Sequence, residues 1–267
     1  SNPKFFLKLF EAEGNSSLSS TYKLVANPLY QAWTEGTGKF GDNPKTTNGC
    51  SWENRSNPVG GTAVQWQSGS SGTPKPEIPP YLNSVGTLVI SSSTQTFTNQ
   101  SADVEMDVTD MMNMWMTGSG AEENYGMMIR FSGSQETDST TFGHLKFFSR
   151  HTHTIFQPKL EVLIKFRVGA RKRYIQKTFN TSVQTVTGSY IPEASGSYAI
   201  KDIATDEFIV PFSGFTSMSC DENGNYFNQF LDGFYPDRVY KIQLKLKYND
   251  GQEQIFDDDF EFIVKRS

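Results

Sequence analysis

The sequence predicts an all-β chain built as two successive β-sandwiches. Three observations predict it. Aromatic residues make up 13% of the 267 positions, with 21 phenylalanines among them, and aromatics favour pleated, half-buried surfaces. Gly, Ser, Thr and Asn recur at short intervals between apolar runs, the punctuation of strands and turns. Helical periodicity is confined to one short segment. The length suits one large domain or two ordinary ones, and either buries a proper core. The boundary is placed between residues 1–165 and 166–267, close to a junction at 163–168 that offers no linker.

In the first region the strand candidates are 5–10, 22–26, 87–91, 102–108, 125–131, 145–149 and 159–163. Most alternate apolar and polar residues, or are short apolar runs bounded by Gly, Ser and Asn. A long polar stretch, 36–80, separates the early strands, and loops of that length are usually functional. The helical exception runs from Asp107 to Met116. Asp107 or Thr109 can cap its free N–H groups, and Met111, Met112, Trp115 and Met116 recur at three- and four-residue spacing. That face is read as core; a methionine-rich binding surface is the alternative.

In the second region the candidates are 173–178, 181–186, 197–202, 208–212, 218–220, 226–231, 240–248 and 256–264. Tyr240 to Tyr248 alternates cleanly, with Lys and Gln on one face, as in a half-exposed antiparallel strand. Asn223-Gly224 signals a type I′ hairpin, and Asn249-Asp250-Gly251 repeats the device. About a hundred residues of short strands with regular turns predict an immunoglobulin-like sandwich.

Charge and composition exclude several classes. A formal net charge of -5 argues against a surface-wide nucleic-acid footprint. Apolar runs stay well short of a membrane span. Ser1-Asn2-Pro3-Lys4 lacks the order of a secretory signal, and a first strand starting at Lys4 suggests a fragment, a processed product or the ordered part of a longer chain. The two cysteines, Cys50 and Cys220, are read as reduced thiols rather than a disulfide framework.

Each polar constellation has a plain reading beside the chemical one. His151 and His153 would share a face of a strand and start a zinc site, but only His144 joins them in sequence; polar rim residues are the preferred assignment, with no metal. Asp221 to Asn225 offers oxygens as calcium loops do, yet turn chemistry explains every residue. Asp257-Asp258-Asp259 with Glu261, and Arg171-Lys172-Arg173, are read as solvated charge. The chain lacks a Gly-x-Ser-x-Gly elbow, a phosphate loop and a His-Glu-x-x-His pair. A non-enzyme without a cofactor is expected. Trp33, Trp52, Trp66 and Tyr81 lie in or beside the long loops, where exposed rings could stack on sugars.

An ordered set of phrases carries a resemblance. It runs from Ala32-Trp33-Thr34-Glu35-Gly36-Thr37-Gly38 through Ser51-Trp52-Glu53-Asn54-Arg55 and Trp66. It continues with Asp107-Val108-Thr109, Trp115 and Asn124-Tyr125-Gly126, and closes on Phe147-Phe148-Ser149-Arg150 and Pro158-Lys159-Leu160-Glu161-Val162. Residues 1–165 thereby resemble the DNRLRE family of jelly-roll domains, related to carbohydrate-binding modules. The family's first strand is missing, and more chain usually precedes a new domain. The resemblance implies a jelly-roll-like sandwich in which Trp33, Glu35, Gly36, Trp115, Asn124 and Gly126 are structural. Trp52, Trp66 and Tyr81 become the candidates for carbohydrate or partner binding. Trp33 and Trp115 are expected to be buried.

Two further phrases, residues 145–155 and Ser197-Tyr198-Ala199-Ile200-Lys201-Asp202 followed by Asp221 and Gly224-Asn225-Tyr226-Phe227, resemble structural proteins of tailed bacteriophages. That implies a non-enzymatic virion component of the tail, neck or fibre region. Its expected partners are other virion proteins and symmetric copies of itself, not nucleic acid or membrane. Reduced cysteines suit a particle assembled in cytosol. The alternative is a carbohydrate-binding module of a larger surface or secreted protein, with a cell-surface glycan as its partner.

Overall fold

A computed structural model describes residues 3–14, 18, 20–39, 41–66, 92–98, 103–117, 123–137, 143–170, 191, 195–248 and 250–265. The predicted strands 87–91, 173–178 and 181–186, Tyr81 and the Arg171–Arg173 cluster lie outside these residues. The chain is nearly all β, in several antiparallel sheets. It divides into two compact units, Phe5–Leu160, and Glu161–Ser267 with Ser1–Lys4.

The first unit holds β1 (Lys4–Leu9), β2 (Glu11–Gly14), β3 (Thr21–Pro28), β4 (Asn54–Ser56), β5 (Val64–Gln65), β6 (Ser93–Thr98), β7 (Val104–Asp107), α1 (Thr109–Thr117), β8 (Met127–Phe131), α2 (Ser134–Thr137) and β9 (Leu145–Phe147). Its strands pair as β6-β3-β8, β2-β9, β4-β5 and β1 with β7. Strand β3 is central, and from Leu24 to Pro28 it is buried continuously rather than alternately. Tyr22 stacks on Phe97 across the β3–β6 pair, ring centroids 4.9 Å apart.

Helix α1 starts where the sequence expects. Asp107 Oδ1 accepts from Thr109 N at 3.1 Å, and Thr109 Oγ1 accepts from Phe5 N at 2.9 Å. Its apolar face is only partly core. Met111 is fully buried, Met112 and Trp115 are half-buried, and Met116 is 65% exposed. The expected burial of Trp115 is therefore incomplete, and its indole N–H meets no acceptor although it is shielded from solvent. No described helix is long and apolar enough to cross a membrane.

The second unit follows β10 (Lys159–Val168) with β11 (Gly196–Asp202), β12 (Phe208–Val210), a 3-10 turn (Gly214–Thr216), β13 (Ser219–Asp221), β14 (Gly224–Phe230), β15 (Arg238–Lys247) and β16 (Glu253–Val264). One sheet carries β13-β14-β10, the other β12-β11-β15-β16. Between them lies a ring-filled core. Phe227 stacks on Tyr198 at 3.8 Å and on Phe166 at 5.1 Å, and Phe234 meets Tyr240 edge-on at 4.8 Å. The alternation in 240–248 produces this: Tyr240, Ile242 and Leu244 are buried, while Lys241 and Lys245 face out.

The β13–β14 turn differs from the expected type I′. Gly224 takes φ +109, but Asn223 is not among the positive-φ residues. Asp221 pairs with Gly224, and Asp221 Oδ1 accepts from Asn223 N at 2.9 Å. An Asx bond thus shapes the turn and glycine absorbs the left-handed step after it. In β16, Asp257, Asp258 and Asp259 bulge opposite Gln243, between the pairs Ile242–Phe260 and Leu244–Phe256.

Candidate functional site

In the first unit, residues 32–66 form a layered loop built from side-chain bonds to backbone. Thr34 N donates to Arg55 O at 2.9 Å, and Arg55 Nη1 donates back to Ala32 O at 3.0 Å. Asn48 Oδ1 accepts from Thr37 N, and Asn57 Nδ2 donates to Thr47 O. These bonds draw two stretches so close that a Cβ on Gly36 would collide with the Asn48 carbonyl, and one on Gly49 with Gly36 itself. Glycine is required at both places by contact, and at Gly49 also by φ +95.

Trp33 and Trp66 are each oriented by the carbonyl their indole N–H reaches. Ser51 closes a turn by accepting from Asn54 N at 3.0 Å, and its carbonyl accepts the Trp66 Nε1 proton at 2.8 Å. Trp33 Nε1 donates to Tyr125 O at 2.8 Å. That carbonyl is set by the Asn124 turn: Asn124 Oδ1 accepts from Gly126 N at 3.0 Å, Gly126 has φ +93, and its carbonyl takes the Leu29 N–H.

The result is a shallow depression of about 250 Å3, lined by Leu29, Trp33, Cys50, Ser51, Trp52, Trp66, Met127 and Met128. Two residue placements differ from expectation. Trp33, expected in the core, is 42% exposed, because its anchor sits at the rim and leaves a ring face open. Trp66, expected as an exposed loop ring, is only 6% exposed, because Ser51 pulls it under the loop. Trp52 has no such anchor and is 46% exposed. The lining is apolar, with polar groups at its margin. Glu53 is exposed beside Trp52, and Glu35 pairs with Arg150 at 2.8 Å. Tyr125 Oη donates to Glu123. Further along the loop, the Lys39 backbone N–H and the Thr46 hydroxyl hold the Asp42 carboxyl below its ordinary range.

Such a surface takes up a flat apolar group: an aromatic or aliphatic side chain, or the apolar face of a sugar ring. The structure brings Trp52 and Trp66 together with Trp33. Trp115 stands apart, on α1. Glu35 and Gly36 belong to the irregular stretch that runs against Asn48 and Gly49, and Asn124 and Gly126 to the turn that anchors Trp33. Leu29, Met127 and Met128 were not singled out as site residues, although Met127 follows directly on the Gly126 turn signal.

The remaining constellations resolve into ordinary partners. His151 and His153 lie in a turn after β9 rather than on a strand face, with His151 Nε2 accepting from Arg150 Nε at 3.1 Å. No three His, Cys, Asp or Glu residues group as metal ligands among the described residues. Asp221 binds Arg167 at 2.9 Å and Lys165 at 2.8 Å, which holds its carboxyl far below the usual range. Asp257 and Asp259 flank Lys241 at 2.8 and 3.4 Å; the hydrogen bond lowers the Asp257 carboxyl and raises the Lys241 ammonium. In the second unit a polar depression of about 330 Å3 lies between the 3-10 turn and the sheet, lined by Ser195, Ser197, Ser213, Ser217, Lys245, Lys247 and Glu253 among others. No protein-family model, no curated protein and no solved structure matches the chain.

Proposed function

We propose that the chain is a non-enzymatic structural component of a tailed-phage virion, in the tail, neck or fibre region. It works through contacts with other virion proteins and with symmetric copies of itself. The observation that carries this is apolar surface on ordered strands. Val239 and Ile263 face each other across β15 and β16, both exposed, and Ile255, opposite Lys245, is exposed further along the same face of the edge strand; Phe260, opposite the core residue Ile242, is exposed on the other face. Clustered exposed apolar groups mark interaction surfaces. Groups already fixed on paired strands lose little freedom on docking. The phage-like phrases in 145–155 and 197–227 supply the virion assignment.

Residues 1–165 are read as a jelly-roll-like module and 166–267 as an immunoglobulin-like one. Two facing sheets with a shared aromatic core support the second; the ordered Trp, Asn and Gly phrases support the first. The test is to fractionate native particles and probe for the chain. It should co-sediment with an assembly of fixed stoichiometry. A chain recovered only as a free monomer would overturn the assignment.

One observation favours a second reading as a carbohydrate-binding module: Trp33 and Trp52 present open indole faces to one depression. Under that reading a glycan array gives specific hits that Trp52→Ala abolishes.

A further inference from the structure

We infer that Phe215 of one copy docks into the tryptophan-lined depression of a second copy, joining chains head to tail. The inference rests on the proposed assembly role and names a contact through which copies would meet.

Phe215 is 99% exposed, the extreme among the large hydrophobic residues described. It is not on a slack loop. It sits at the tip of the Gly214–Thr216 turn, where Phe215 N donates to Ser213 Oγ at 3.2 Å and Ser213 N donates to Thr216 Oγ1 at 2.9 Å. Thr216 beneath it is buried. This reciprocal capping box holds the backbone of the turn. A phenyl ring held out on a fixed stalk is arranged for insertion, because little ordering remains to be done on binding.

The depression offers the complementary shape and chemistry. Its volume of about 250 Å3 has room for a phenyl ring. Trp33 and Trp52 present ring faces that accept an aromatic in edge or offset geometry. Met127 and Met128 add thioethers, which pack well against aromatic rings. Charge agrees with the pairing. The turn carrying Phe215 borders Lys245, Lys247 and Glu253; Lys245 pairs with Glu253 at 3.3 Å, and Lys247, which has no ion pair among the described residues, leaves this rim net positive. At the depression, Glu53 adjoins Trp52 and likewise has no ion pair among the described residues, and Glu123 lies by the Trp33 anchor. Opposite charges at the rim favour this pairing over others. Knob and hole are different surfaces, so the contact is heterologous and builds rings or filaments rather than closed pairs.

The experiment is sedimentation velocity of the full chain over a wide concentration range, with Phe215→Ala, Trp52→Ala and an equimolar mixture of the two. Wild type should form concentration-dependent multimers. Each variant alone should weaken association at least tenfold without lowering its melting temperature. The mixture should stop at dimers, because only the intact Phe215 of one variant can enter the intact depression of the other. Phe215→Tyr should restore multimers. A wild type that stays monomeric at all concentrations, or a Phe215→Ala variant that associates as wild type does, overturns the inference. Multimers that persist in Phe215→Ala leave the assembly role standing on another surface. A monomeric wild type that is also missing from native particles removes both.

Discussion

The core of the second unit and the loop of the first hold their aromatic rings in different ways. In Glu161–Ser267 the rings hold one another: Phe166, Tyr198, Phe227, Phe234, Tyr240 and Phe262 form a linked set between two sheets. In the loop of Phe5–Leu160, Trp33 and Trp66 are held singly, each by one indole N–H on one carbonyl, and Trp52 has no such anchor. The first arrangement spreads a perturbation through close-packed neighbours. The second leaves ring faces open and makes a surface. Cores come from strand alternation, and sites from loops whose backbone is tied down by Ser, Thr and Asn side chains.

That contrast predicts graded costs. Tyr240→Ala removes a fully buried ring together with the hydroxyl that accepts from Tyr235 N at 2.8 Å. It should cost roughly 4–5 kcal/mol in urea unfolding; a loss near 1 kcal/mol would mean the second unit is not a cooperative core. Trp66→Ala should cost about 3 kcal/mol, whereas half-exposed Trp52→Ala should stay within about 0.5 kcal/mol. Equal effects at the two positions would erase the distinction between anchored and open indoles. Gly36→Ala should cost on the order of 2 kcal/mol in urea unfolding, since the methyl group drives two backbones apart; an unchanged midpoint would mean the close approach to Asn48 is not needed.

The smallest expected effect is acidic. Asp221, held by Arg167 and Lys165, and Asp202, held by Arg238, both have carboxyl pKa values below the ordinary range. The folded state therefore favours the ionised form. Their contribution is complete above the unfolded carboxylate pKa of about 4 and declines as pH falls below it. Asp221→Asn should flatten the loss of stability between about pH 5 and pH 2. An unchanged slope in pH-dependent melting would show that the Asp221 cluster is not linked to folding.

Much of the second unit was legible because its signals are periodic. Alternation in 240–248 marked the buried face of β15, and glycines marked the hairpins. The turn at 222–224 was placed correctly but its type was not, because an Asx bond from Asp221 competes with the Asn-Gly preference. In the first unit, the loop tryptophans were visible as a group. Which of them would be buried was not, because that depends on which carbonyl each indole meets across 15 to 92 residues of sequence separation. The histidine pair is read from sequence as polar rim residues; the shared face that alternate spacing gives belongs to a strand, and residues 151–153 turn instead. Phe215 stayed unremarked because one phenylalanine in a strand-rich stretch gives no sign that it points outward.

The most direct test of an assembly role is the mass of the native particle that contains the chain, measured by mass photometry or cryo-electron microscopy after gentle extraction. The account predicts a large symmetric assembly with many copies of the chain, its exposed strand and loop surfaces covered by neighbours. A lone chain with a sugar stacked on Trp33 and Trp52 would contradict it.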